Sequence, residues 1–211
     1  MPAITHHIPD AMIAAYAAGS LPHAFAMVVA SHLSYCRDCQ AALGAHQSAG
    51  GALLEAAHSE ELSPGMKASV MAILDKPPTP EPVYDAKGIY PGPVMQALKG
   101  GAPRWRTLGM GVKQNILYEG DGGSARLLYI PAGQAVPDHT HNGLELTLVL
   151  QGSFSDETGR FGVGDVEIGD EDLEHTPVAD AGDPCICLAA TDAPLRFSAL
   201  MPRLLQPLFR I

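Results

Sequence analysis

Apolar positions at helical spacing dominate residues 1–75. The run 11–18 is mostly apolar and lies between Asp10, a favourable N-cap, and Gly19, a favourable helix end. A second helix is expected over residues 24–34 and a third over residues 39–55. The pattern therefore predicts a helical N-terminal half.

A fourth helix is predicted after Ser63-Pro64, and its apolar residues share one face. These residues, at positions i, i+4, i+7 and i+8, are Met66, Val70, Ile73 and Leu74. Such a stripe usually packs into the core of its own chain. The alternative is a surface that faces a partner, and the sequence leaves both open.

From residue 104 onward the apolar pattern changes to that of strands. Short apolar runs are separated by turns rich in glycine, aspartate and proline, and the runs are Val112–Tyr118, Ala125–Ile130, Leu144–Leu150, Cys185–Ala190 and Leu195–Leu200. Between residues 144 and 150 every even position is leucine, and the odd face carries Glu145. Many short strands at near-regular spacing are typical of a sandwich or barrel.

A proline-rich stretch separates the two patterns. Residues 76–82 contain four prolines, and Pro91, Pro93 and Pro103 follow. Proline favours extended chain, so residues 76–103 are expected to form a linker without packed elements. The sequence thus predicts an α + β protein with a helical domain at 1–75, a linker at 76–103 and a β domain at 104–211.

Composition narrows the function. The 211 residues carry a net charge of −10, which argues against direct binding of nucleic acid, because phosphate binding needs a basic face. No basic segment followed by an apolar run begins the chain, and no apolar run is long enough to span a membrane. The four cysteines form two close pairs, 36/39 and 185/187, unlike a secreted disulfide framework. A cytoplasmic location is expected.

The first candidate metal site is the stretch His-x3-Cys-x2-Cys, formed by His32, Cys36 and Cys39. On a helix, residues three or four apart share a face, so the imidazole and both thiolates can converge. This donor set suits tetrahedral zinc, with His6 or His7 as the fourth ligand. The alternatives are a redox-active cysteine pair and chance.

The second candidate site lies in the β half. His139 and His141 are two apart and share one face of a strand. Asn142-Gly143 predicts a tight hairpin turn that would bring the next strand alongside, so that Glu145 approaches both imidazoles. His175 is the third histidine, and together these groups fit a divalent metal.

An acidic cluster precedes His175. It consists of Asp165, Glu167, Asp170, Glu171, Asp172 and Glu174. Charge runs are usually solvated, so this segment is expected to be an exposed loop.

The histidines of the β half carry a resemblance to the cupins, which are double-sheet jelly rolls. The element G-x5-H-x-H-x3-E-x6-G is matched by Gly133, His139, His141, Glu145 and Gly152. The second cupin motif is kept only in part: His175 takes its histidine position, but Asp170, Asp172 and Ala179 replace its proline, glycine and asparagine. The resemblance implies a cupin-like barrel with metal ligands His139, His141, Glu145 and His175.

The helical half resembles the zinc-binding anti-sigma domain, whose pattern is a histidine followed at a distance by His-x3-Cys-x2-Cys. The 24 residues between His7 and His32 fit that pattern best, which favours His7 over the adjacent His6. The resemblance implies zinc ligands His7, His32, Cys36 and Cys39. Both domains in this order are similar to the ChrR-type anti-sigma factors.

The combined resemblance implies a regulatory protein rather than an enzyme. The helical domain would bind an extracytoplasmic-function-type sigma factor, and the cupin-like domain would release it in response to oxidative stress such as singlet oxygen. Zinc is expected in the helical site, and a divalent metal, expected to be zinc, in the cupin site. The alternatives are a metal-dependent cupin dioxygenase or isomerase and a metal-storage or scaffold protein.

Overall fold

The computed structural model describes residues 3–75, 77, 82–136, 139–140, 143–170, 173–193 and 196–197. The five helices in this part of the chain are α1 Asp10–Ala17, α2 His23–Leu33, α3 Arg37–Ala56, α4 Met66–Leu74 and α5 Gly92–Ala97. In these residues no helix has both the length and the apolarity needed to cross a membrane. The expectation of an α + β chain with a helical N-terminal half and a β-rich C-terminal half is confirmed.

The first four helices follow the sequence prediction closely. Asp10 is the first residue of α1 rather than its cap, because Pro9 occupies the N-cap position. A carboxylate in the first turn still favours the helix through the macrodipole. Cys36 is the N-cap of α3, and its sulfur accepts a hydrogen bond from the N–H of Cys39.

The stretch 76–103 differs from the prediction. Residues 92–97 form α5, with Pro91 at its N-cap and Pro93 in its first turn. Proline is tolerated there because a backbone N–H in the first turn has no acceptor within the helix. Val94 and Met95 are buried, and α5 packs against α2. The expectation that this stretch holds no packed element is therefore wrong for residues 92–97.

The β half contains strands of two to nine residues. They are β1 Arg106–Gly109, β2 Val112–Gly120, β3 Gly123–Ile130, β4 His139–Thr140, β5 Glu145–Gln151, β6 Ser153–Ser155, β7 Arg160–Gly162, β8 Val166–Gly169, β9 Glu174–His175, β10 Val178–Ala179, β11 Cys185–Thr191 and β12 Arg196–Phe197. All pairings between them are antiparallel.

The strands form one large and two small sheets. The main sheet has the order β1-β2-β3-β11-β5-β8, and the small sheets have the orders β10-β6-β7 and β12-β4-β9. At its centre, Leu188 of β11 lies opposite Leu127 of β3 and Leu148 of β5. The jelly-roll expectation agrees with this arrangement of facing sheets.

Both faces of the main sheet carry buried side chains at its central strands. The even-numbered leucines of β5 share a core with Phe25 and Val28 of α2, which packs across β3, β5 and β11. Val149, on the opposite face, belongs to a second core with Phe154 and Phe161 of the small sheet. The two halves of the chain therefore share one core through α2.

Helix α4 has the opposite character. None of its nine residues, all of them described, is buried. Val70, Ile73 and Leu74 are 52%, 60% and 70% exposed. The interpretation of this stripe as part of the chain's own core is therefore wrong, and the helix presents its apolar side chains to solvent.

Candidate metal sites

The helical metal site, His7, His32, Cys36 and Cys39, is assembled from the segment before α1, the last turn of α2 and the start of α3. One donor atom from each residue lies within 4.8 Å of every other. His32, Cys36 and Cys39 are buried, and His7 is exposed. The structure places His7 beside the cysteines, whereas the His6 ring packs against Phe161 at 4.4 Å between centroids.

The donor distances suit a tetrahedral ion. Nδ1 of His7 is 3.2 Å from Sγ of Cys36 and 3.7 Å from Sγ of Cys39. Nε2 of His32 is 3.2 Å from Sγ of Cys39. Ordinary zinc–sulfur and zinc–nitrogen bonds keep neighbouring donors about 3.5 Å apart in a tetrahedron. The four residues therefore fit a zinc ion.

The proton on His32 has a defined position. Its Nδ1 is 2.8 Å from the carbonyl oxygen of Gly164. A carbonyl oxygen only accepts, so Nδ1–H donates and the neutral ring presents the lone pair of Nε2 to the cysteines. Burial lowers the pKa of His32 and outweighs the opposing effect of this hydrogen bond. The ring is thus held neutral, in the tautomer that a metal ligand needs.

The cysteines favour a bound cation. Burial raises the pKa of Cys39 to about 11, and the neighbouring Cys36 contributes in the same direction. A thiolate in this position is therefore unfavourable until a positive charge compensates it. Metal binding would supply that charge, since metals bind the deprotonated thiolate.

The predicted cupin site is described only in part. His139 lies in β4, directly opposite His175 in β9, and Glu145 begins β5. The Glu145 carboxylate accepts a hydrogen bond of 3.0 Å from the Thr147 hydroxyl. His141 and Asn142 lie outside the described residues.

The predicted hairpin between the His-x-His strand and the next strand differs from the structure. Among the described strands, β4 pairs with β9 and β12, while β5 pairs with β11 and β8. The two strands thus belong to different sheets and are not hydrogen-bonded neighbours. The motif glycine at the end of β5 is still required, because Gly152 has φ +68° and a Cβ there would lie 2.8 Å from the Pro184 carbonyl oxygen.

Two acidic residues that sequence analysis did not assign to a site contact His175. Nδ1 of His175 is 2.7 Å from Asp156 and 3.2 Å from Glu167, and all three side chains are nearly fully buried. This acidic–histidine cluster of Asp156, Glu167 and His175 also meets the donor spacing of a metal site. Carboxylates on Nδ1 orient the ring so that Nε2 can face a metal, as second-layer partners of ligating histidines commonly do.

Each of the three groups in this cluster shifts the pKa values of the other two. Burial, reinforced by Asp156, raises the pKa of Glu167 to about 8. Burial alone would lower the pKa of His175, but Glu167 and Asp156 outweigh it and raise that pKa to about 9. The pKa of Asp156 lies well below its usual range, because hydrogen bonds from Glu167, His175 and Thr158 outweigh the opposing effect of burial.

The acidic segment is therefore not an exposed loop throughout. Asp165 and Glu167 are each only 5% exposed, whereas Asp170 is exposed. The prediction of a solvated loop is wrong for the first two residues. Strand β8 was the missed feature, since its short Val-Glu-Ile-Gly run alternates without a strong apolar signal.

Comparison with known proteins agrees with both halves of this architecture. Residues 95–193 match the family described as the ChrR cupin-like domain. The chain is 56% identical over 211 residues to the anti-sigma-E factor ChrR of Cereibacter sphaeroides, with 99% of each chain covered. It also resembles the crystal structure of Rhodobacter sphaeroides SigE in complex with the anti-sigma ChrR. That match has a TM-score of 0.81 and 55% identity, and it covers 90% of this chain and 100% of the other.

Proposed function

Because the chain belongs to the ChrR family of anti-sigma factors, we propose that it sequesters an extracytoplasmic-function-type sigma factor through residues 1–75. The family relationship makes it an anti-sigma factor rather than an enzyme, so the dioxygenase or isomerase alternative is set aside. A ChrR protein that is 55% identical forms a complex with SigE. An equivalent complex in the cytoplasm, where RNA polymerase acts, is the proposed role of this chain.

The observation that carries the proposal is a set of exposed apolar side chains between the last turns of α3 and the end of α4. Large apolar side chains here are 44–77% exposed, and they are Leu53, Leu54, Leu62, Met66, Val70, Met71, Ile73 and Leu74. Single exposed apolar residues are normal, but eight of them within 22 residues of the chain, five of them on one short helix, favour an interaction surface. We name this group the α4 surface and assign it to the sigma factor.

Charge supports the same partner. The chain carries a net charge of −10, and a sigma factor must present basic surfaces to promoter DNA. Complementary charge accelerates encounter and suppresses wrong partners more than it adds affinity. The apolar side chains of the α4 surface would then supply most of the binding free energy.

We propose that zinc occupies the helical metal site, held by His7, His32, Cys36 and Cys39. When bound, zinc would tie the segment before α1 to α2 and α3. Structural zinc contributes on the order of 10–16 kcal/mol in small zinc peptides, so the helical half would depend on it. The buried thiols and the tautomer of His32 support this assignment.

The β half is proposed to be the sensor. A divalent metal, expected to be zinc, would be held there by His139, His141, Glu145 and His175. Its signal would be oxidative stress such as singlet oxygen, and the response would be release of the sigma factor. A signal can release a partner only by changing the relative stability of the bound and free states.

The α4 surface can be tested with two matched substitutions. Val70→Asp places a charge on α4, whereas Val83→Asp places one at an 87% exposed valine in the segment before α5. Titration calorimetry with the cognate sigma factor should show at least a tenfold loss for Val70→Asp, equivalent to about 1.4 kcal/mol. Val83→Asp should bind like the wild type. Equal affinity of Val70→Asp and the wild type would remove α4 from the interface.

A further inference from the structure

One turn of the β half reaches the helical metal site. The turn 162–165 joins β7 to β8, and its backbone is anchored to β5 on both sides. Gly164 N–H donates to the Val149 carbonyl at 2.9 Å, and Val149 N–H donates to the Asp165 carbonyl at 3.1 Å. The turn is thus a fixed part of the main sheet rather than a loose loop.

The Asp165 carboxylate accepts hydrogen bonds from the backbone immediately before His7. Oδ1 accepts from Thr5 N–H at 2.7 Å and from His6 N–H at 2.9 Å, while Oδ2 accepts from Gly162 N–H at 2.9 Å. The Val166 N–H adds a bond of 3.2 Å to the His6 carbonyl. Charge-assisted bonds of this kind are stronger than neutral ones, and the carboxylate is nearly fully buried. The backbone immediately before His7 is therefore held by the β half.

The same turn orients the second histidine. The Gly164 carbonyl accepts from Nδ1–H of His32, so both imidazole donors of the helical metal site depend on adjacent residues of one turn. The two cysteines, in contrast, lie within the helical half, at the start of α3.

We propose that Asp165 is a positioning residue of the helical metal site, acting across the junction between the two halves. This inference rests on the proposed binding of zinc by that site. It predicts that the metal affinity of the helical half is linked to its contact with the β half. Reciprocity then requires that metal binding strengthens that contact by the same factor.

The β half, which is the proposed sensor, also contacts the helical half directly, through Asp165 and the segment before His7. Glu167, two residues beyond Asp165, contacts His175 of the proposed cupin site at 3.2 Å. A shift of β8 would therefore act on the segment before His7 without passing through residues 76–103. The route is short, since a single strand connects the two contacts.

The test is a cobalt(II) titration of the full-length, metal-free and reduced chain. Bound thiolates give cobalt(II) a charge-transfer absorption, which a Cys36→Ser chain should lack, so the signal reports the helical site alone. Asp165→Ala should weaken cobalt binding by about 10- to 100-fold, the usual effect of removing a partner that orients a ligand. Asp165→Asn keeps an oxygen for Thr5 and His6 and should recover part of the affinity.

Asp180→Ala is the matched control. Asp180 accepts hydrogen bonds from Ser153, Ser155 and Arg160 in the small sheet, and among the described residues its carboxylate has no hydrogen bond to the segment before α1. It should bind cobalt like the wild type. Far-UV circular dichroism of each variant, compared with the wild type in the same metal state, reports folding, and if Asp165→Ala folds less than the wild type, the proposal is judged on Asp165→Asn against Asp180→Asn.

The outcomes separate this inference from the proposed function. A wild-type chain without the thiolate absorption would overturn the proposed helical metal site itself. A wild-type chain that binds cobalt, with Asp165→Ala and Asp165→Asn binding equally tightly, would overturn only the positioning role. An equal loss in Asp180→Ala would also overturn it, because the effect would then follow general stability.

Discussion

The shared core between the two halves makes a quantitative prediction for Phe25. Phe25 is 3% exposed and lies on the face of α2 that packs on the main sheet. Truncation of a buried phenylalanine to alanine costs about 3–5 kcal/mol, through lost burial and the cavity left behind. For a chain of about 200 residues, 1 kcal/mol lowers the melting temperature by roughly 2–4 °C, so Phe25→Ala should lower it by roughly 6–20 °C.

Two probes can follow the halves separately. Circular dichroism at 222 nm reports mainly the helices, and fluorescence of Trp105, the single tryptophan, reports the β half. In zinc-replete buffer both transitions should shift together, because the lost contact belongs to both halves. Leu53→Ala, at a 74% exposed leucine of α3, should move neither by more than about 2 °C. A helical signal that melts early while the tryptophan transition stays unchanged would refute the shared core.

Three further predictions follow from the sites. Cys36→Ser or Cys39→Ser should lose zinc and sigma binding, and His7→Ala should lower the zinc content more than His6→Ala. Metal analysis of the purified proteins checks this, and a Cys39→Ser chain with stoichiometric zinc would exclude Cys39 as a ligand. His141→Ala or Glu145→Ala should still bind the sigma factor but respond poorly to singlet oxygen in a reporter assay; constitutive transcription would contradict the proposed division between inhibition and sensing. Burial alone would raise the pKa of Asp165, but hydrogen bonds from Gly162, Thr5 and His6 hold it below its usual range. The ionised Asp165 therefore stabilises the fold above about pH 4, and this stabilisation is lost as the pH falls through the folded pKa. The difference in urea midpoint between wild type and Asp165→Asn should shrink in acid, and a constant difference from about pH 7 to 3 would argue against that linkage.

The sequence predicted the long elements well and the short ones poorly. Strand β5 was predicted from its alternating leucines, and the structure extends it by a single residue beyond Leu150 while starting it at Glu145. Strands of two or three residues, such as β9, carry too few positions for a period to appear. Helix α5 was missed because the prolines at its start, Pro91 and Pro93, are equally typical of a proline-rich linker.

The sites show the same division. The spacing of His32, Cys36 and Cys39 on adjoining helix ends already implies convergence, because local geometry decides it. The roles of Asp165 and Asp156 depend on contacts across 160 and 19 positions of sequence, which no local pattern contains. Likewise, the exposure of α4 could not be distinguished from burial, since an apolar stripe suits either a core or a partner.

The proposed role of this chain is to hold a sigma factor away from RNA polymerase. The most direct measurement is transcription in vitro from a sigma-dependent promoter, with core polymerase, the cognate sigma factor and increasing amounts of the zinc-loaded full-length chain. Transcription should fall to background near one equivalent of the chain per sigma factor, and Val70→Asp should require a large excess. Undiminished transcription in the presence of excess wild-type chain would show that the chain does not inhibit this sigma factor.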